Sequence, residues 1–123
     1  MRIDHIGLDV TDYERSKAFY ERALSPLGME VLMEPVSEVC GFGGDFPFFW
    51  IGKRDRGPQT GVHVAFTAKD RDMVDAFHAA ALEGGGTDNG GPGVREIYHP
   101  DYYGAFVFDP DGNNIEAVCH KPA

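Results

Sequence analysis

Three residues of this 123-residue chain combine donor chemistry with placement in strand-like sequence: His5, His63 and Glu116. Two imidazoles and one carboxylate offset much of a divalent charge and leave coordination positions open for water or substrate. Each residue also has an ordinary reading. A strand histidine is commonly a surface residue or a core residue with its hydrogen bonds met, and a glutamate between Ile115 and Ala117 could be held by a partly buried ion pair. A second group lies in REIYHPDYYGAF (95–106), where Arg95 could take an anionic group beside Tyr98, with His99 or Tyr103 giving or taking a proton. Trp50, in GGDFPFFWIG, could form an aromatic wall of the same pocket. For these residues the ordinary reading is a polar loop, an aromatic strand and core.

The elements that must position them are legible as a repeat. In GVHVAF (61–66), Val62, Val64 and Phe66 alternate with His63 and Ala65, the pattern of a half-buried strand. At a constant offset of 58 residues, DHIGLDVTDYERSKAFYERAL (4–24) aligns without gaps on VHVAFTAKDRDMVDAFHAAAL (62–82). His5 then falls on His63, Asp12 on Asp70, Phe19 on Phe77 and Leu24 on Leu82. Each copy opens with a strand whose aliphatic face is covered by the helix that follows, so both histidines point to the opposite side of their sheets. TDYE (11–14) has capping-box spacing with Thr11 as the cap, and Asp70 is the cap of the second helix. Ala18, Phe19 and Leu24 mark the buried stripe of the first helix, and Met73, Val74, Phe77 and Ala81 that of the second.

Shorter strands follow: EVLMEPV, EVCGFGG and FPFFWIG in the first half, VREIYH, YYGAFVFD and NNIEAVCH in the second, with DPDG (109–112) as a hairpin turn. The glycine-rich GGGTDNGGPG (84–93) reads as a mobile rim loop, because no phosphate-loop Gly-Lys-Ser/Thr follows it. Each half is thus βαβββ: module one spans about 1–57, module two about 58–123, in a single domain.

Composition narrows the class. A net charge of −9 argues against nucleic acid or an anionic membrane surface, which call for a basic patch. No apolar run is long enough to span a bilayer, and the first residues lack the apolar core of a signal peptide. Cys40 and Cys119 form no Cys-x-x-Cys pair, and free thiols in a reducing cytoplasm are the expectation. A small molecule or a protein remains as partner.

DHIGLDVTDYERSKAFYERALSPLG at the start, HVAF at 63–66 and FDPDGNNIEAV at 108–118 together resemble the vicinal oxygen chelate superfamily, which includes glyoxalase I, extradiol dioxygenases, fosfomycin-resistance enzymes and bleomycin-binding proteins. The resemblance spans essentially the whole chain. It implies an α+β fold of two βαβββ modules forming a cup-like, partly open β-barrel with helices on the outside. It also implies a divalent metal (Zn, Ni, Fe, Mn or Co) held at His5, His63 and Glu116, and a homodimer. The expected function is metal-dependent chemistry, by a lyase, isomerase or dioxygenase, on a small molecule that chelates the metal through oxygens. The alternative is drug or antibiotic sequestration of the bleomycin-resistance type. Glyoxalase I enzymes use a fourth protein ligand on the last strand of the first module. Here that stretch is FPFFWIGK (46–53), without Asp, Glu or His, and Trp50 or a neighbouring Phe takes the place. A typical lactoylglutathione lyase is therefore not expected.

Overall fold

The computed structural model describes residues 1–54 and 60–123, and the expected module boundary near 57/58 lies outside the described residues. The first module comprises β1 (Ile6–Asp9), α1 (Tyr13–Leu24), β2 (Glu30–Val36), β3 (Val39–Gly43) and β4 (Phe49–Gly52). The second comprises β5 (His63–Thr67), α2 (Arg71–Glu83), β6 (Thr87–Val94), β7 (Tyr103–Phe108) and β8 (Asn114–Cys119). Strand order is β1-β4-β3-β2 in one sheet and β5-β8-β7-β6 in the other. In each, the first strand pairs parallel with the last, and the remaining pairs are antiparallel. The sequence repeat is therefore a repeat of topology. The fold is α+β, and the two sheets do not join into a closed barrel.

Local sequence explains the helices. Asp12 caps α1 by accepting the Arg15 amide at 3.2 Å, and Asp70 caps α2 by accepting the Met73 amide at 2.9 Å. Thr11, expected as the first cap, instead donates its hydroxyl to Asp111 at 2.5 Å, which ties the first module to the second. The 58-residue offset had already paired the two true caps. Beyond α1, Ser25–Leu27 tighten into a 3-10 turn, and Gly28 closes it in the left-handed region at φ +79°.

The buried stripe of α1 is Tyr13, Ser16, Phe19, Tyr20, Ala23 and Leu24, and that of α2 is Val74, Phe77 and Ala81. Ala18 was expected inside but faces solvent, as does its repeat partner Ala76. Four residues before Arg22, it lies on the face that α1 turns away from the core. Leu8 and Val10, with Ile115, Ala117 and Cys119, meet these helices in one continuous core. Phe49 of β4 and Phe66 of β5 pack edge to face at 5.2 Å, and α1 packs against α2. Both sheets thus turn one face into a shared core, leaving His5, Gly7, His63, Ala65 and Thr67 exposed on their other faces. A buried hydrogen bond from the Tyr20 hydroxyl to Asp109 joins the modules, and the Asp111 and Asn113 backbone N–H groups and the Asn113 side-chain amide also donate to that carboxylate.

The largest departure lies after α2. The glycine-rich stretch is not a loop: Thr87–Val94 form β6, and the expected strand VREIYH contributes only Val94. Residues beyond it fold into turns closed by Tyr98 N–H to Arg95 O and Tyr102 N–H to His99 O. Pairing with β7 needs backbone groups, which glycine supplies, whereas Ile97 and Tyr98 stand exposed with no core to enter. Both outer strands are irregular. β2 shifts register twice along the run that holds Pro35, and β6 shifts twice along the run that holds Gly90 and Pro92.

Candidate functional site

The outward face of the second sheet gathers the chemistry. Ala65 of β5 is in register with Glu116 of β8, and Glu116 with Phe106 of β7. Alternation places Ile115 and Ala117 in the core and Glu116 on the outward face, yet only 1% of Glu116 is exposed. Its neighbours cover it. His63 Nε2 lies 2.8 Å from one carboxylate oxygen, and the Tyr102 hydroxyl donates to the other. Gly104 makes room for this arrangement, since a Cβ there would stand 3.2 Å from both the Glu116 oxygen and the Tyr102 ring. Burial pushes the Tyr102 phenol well above its ordinary range, and the bond to Glu116 adds to the shift.

Phe106 extends the face, 6.2 Å from the His63 ring, and the Arg95 guanidinium lies 5.4 Å over the Phe106 ring. Arg95 donates to Gly91 O at 2.7 Å, and among the described residues it forms no ion pair. Its positive charge also acts on Tyr102. Around Tyr102 stand Tyr98 at 4.7 Å, His99 at 5.5 Å and His120 at 5.3 Å between ring centroids. His99 Nε2 meets His120 Nδ1 at 2.9 Å, while the Asp101 amide donates to His99 Nδ1.

The structure brings together His63, Glu116, Arg95, Tyr98 and His99. It does not bring His5 or Trp50 to them. His5 is exposed just before β1, its ring 2.7 Å from Asp4, and among the described residues no three metal-ligating side chains converge. Trp50 lines a separate concavity of about 570 Å³ on the outward face of the first sheet, together with His5, Gly7 and Arg54. Its indole donates to Pro47 O at 3.3 Å and lies over Gly41, where a Cβ would stand 2.7 Å from the ring. Tyr103 is turned away from the site, because its hydroxyl donates to Asp75 of α2 at 2.6 Å beneath the Arg71 guanidinium.

The profile of the Glyoxalase/Bleomycin resistance protein/Dioxygenase superfamily matches residues 2–117. The chain belongs to this superfamily. A glyoxalase/bleomycin resistance protein from Albidiferax ferrireducens T118 is similar at 31% identity and a TM-score of 0.83, over 94% of this chain and 97% of that one. Two more distant solved structures support the fold alone. A glyoxalase/dioxygenase from Nostoc punctiforme matches at 22% identity and a TM-score of 0.70, over 98% of this chain and 92% of that one. The fosfomycin resistance protein FosX from Mesorhizobium loti matches at 18% identity and a TM-score of 0.71, with the same two coverages. No curated protein sequence matches.

Two residues of this glyoxalase-superfamily site, Phe106 and His120, carry no distinctive sequence signal, and among the tyrosines of 95–106 it is Tyr102 that meets Glu116. For Tyr102 the signal was present. Counting back from Val107 and Ala105, which face the core, puts Tyr103 on the core side and Tyr102 on the side of Glu116.

Proposed function

We propose that this superfamily member is a metal-dependent enzyme acting on a small molecule that chelates a divalent ion through oxygens, in a lyase, isomerase or dioxygenase reaction. The supporting observation is the Glu116 carboxylate, buried yet on the outward sheet face, with the His63 imidazole 2.8 Å away. A carboxylate and a nitrogen donor that converge on an open surface fit two positions of a Zn, Ni, Fe, Mn or Co site. His5 is the third donor in this reading. It stands on the other sheet, so a second copy of the chain, docked across the outward faces in a homodimer, would supply it.

A bound ion would contribute Lewis acidity toward the substrate oxygens. The protein's own residues do the rest. Tyr102 keeps its proton and holds one Glu116 oxygen, which leaves the other free to face His63. Arg95 takes an anionic group of the substrate, and His99 gives or takes a proton at the rim. Trp50, on the face that carries His5, would supply that copy's aromatic wall and no metal ligand, so the reading is not that of a typical lactoylglutathione lyase. Cys40 and Cys119 are buried free thiols, which suits a reducing cytoplasm, and among the described residues no helix is long and apolar enough to cross a membrane.

Divalent-metal titration of the wild type and of Glu116→Gln tests the reading. The variant should bind more than about tenfold more weakly, and equal affinity would remove Glu116 from the ligand set. The second reading, sequestration of an aromatic compound, is favoured by the indole of Trp50 laid over Gly41 in an open concavity. Ligand-dependent thermal stabilisation that survives a chelator would support it over the enzyme.

A further inference from the structure

A cavity of about 750 Å³ lies apart from the Trp50 concavity and reaches the outward face of the second sheet only at Ala65 and Thr67. It opens between the modules, where the loop joining β3 to β4 meets the end of β5 and the start of α2. Leu27, Met29, Phe46, Phe48 and Met73 give it an apolar wall. The Phe46 and Phe48 rings stand 5.9 Å apart, and Phe46 remains 48% exposed, an unfavourable amount of wet aromatic surface for a monomer to keep. Gly28 and Gly44 border the space without side chains to fill it.

The charge of the lining runs against that of the chain. Lys69, just before α2, and Lys121, just beyond β8, come from separate segments to the same cavity, and neither forms an ion pair among the described residues. Asp45 is the one carboxylate in the lining, which leaves it net positive within a chain of net charge −9. A cavity in the size range of small-molecule sites, apolar within and locally cationic, is complementary to one kind of ligand. We propose that it binds an amphipathic organic anion, with an aromatic or branched apolar body against Phe46, Phe48 and Met73 and one carboxylate or sulfonate at Lys69 and Lys121. The site adjoins the His63–Glu116 pair at Ala65, the register partner of Glu116, but neither His63 nor Glu116 lines it.

The experiment uses 2-naphthoate and its uncharged counterpart 2-naphthamide, titrated calorimetrically into the full chain with nuclear magnetic resonance mapping of the perturbed residues. Naphthoate should bind more tightly than the amide and weaken as salt rises. The double charge reversal Lys69→Glu with Lys121→Glu lies on the exposed surface, so folding is not at stake. It should cost naphthoate about tenfold while changing the amide less than about twofold. Phe46→Ala should weaken both, and Glu116→Gln should weaken neither, which keeps this site separable from the metal reading. Three results would overturn the proposal. Naphthoate affinity could be indifferent to charge reversal, its shifts could centre on His63 and Glu116, or its binding could dissociate a dimer, which would make a second copy the occupant.

Discussion

A phenol that shares its proton with a buried carboxylate resists ionisation, and this chain has more than one tyrosine so held. Tyr102 donates to Glu116 and Tyr20 to Asp109, and burial raises the titration of both. Tyr13 is raised as well, by burial first and then by its contacts with Cys40 and Glu34. Because the folded values exceed that of a free phenol, each group contributes stability that is fully present below pH ~10 and is lost as pH rises through the folded value. Phenolate absorbance at 295 nm should therefore appear for these tyrosines only together with unfolding at alkaline pH, and Tyr102→Phe should remove one late-titrating group. Ionisation of all five before the circular dichroism changes would contradict the assignment. Trp50 carries a second prediction at this scale. With no carboxylate or imidazole on its strand to act as base, turnover of the methylglyoxal–glutathione adduct should be negligible even with Ni²⁺ or Zn²⁺ supplied, since a general base typically contributes ~10²–10⁴-fold. Robust lactoylglutathione formation by pure protein would mean that another group, such as His99 or Asp45, substitutes.

Between α2 and β6 the chain passes through Gly86, where a Cβ would stand 2.4 Å from Val107 and 2.6 Å from Phe19. Both neighbours are fully buried and come from different modules, so neither can give way. Gly86→Ala should cost about 1–3 kcal/mol by overpacking, read from the urea midpoint at unchanged slope. Gly91→Ala, five residues on in the same glycine-rich stretch with open space around it, should cost less than about 1 kcal/mol. Equal effects would mean that backbone entropy, not packing, governs this stretch. The contrast also marks where elements were legible in the sequence. Helix α2 and strand β8 follow from alternation and capping, because their side chains face the core in a fixed period. Strand β6 does not, since its pairing is carried by backbone groups while its residues read as turn formers. Thr11 misled for a related reason: capping-box spacing is local, whereas its real partner, Asp111, is one hundred residues away. At the site, types and spacing pointed to His63 and Glu116, which do meet, but sequence could not place His5 relative to them.

For the whole molecule, the sharing of one core by both modules sets what a single copy can do. With the helix-side faces of the sheets turned inward, His5 stands on one outward face and His63 with Glu116 on another. If a homodimer assembles the site, inactive His5→Ala and Glu116→Gln chains should complement on mixing, because each mixed dimer keeps one site free of both substitutions. Refolding an equal mixture should restore about a quarter of the wild-type metal sites, from half of the dimers and one site in each. A sedimenting monomer at micromolar concentration, or no restoration on mixing, would mean that His5 is not shared. Partner choice is also limited at the outer margins. β2 and β6 are the outer edges of their sheets, and each runs irregularly past a proline that can donate no hydrogen bond. Such edges make poor templates for a foreign strand, so growth by strand addition is blocked at β2 and β6, and any such pairing is left to β1 and β5, the regular strands at the opposite ends of the two sheets.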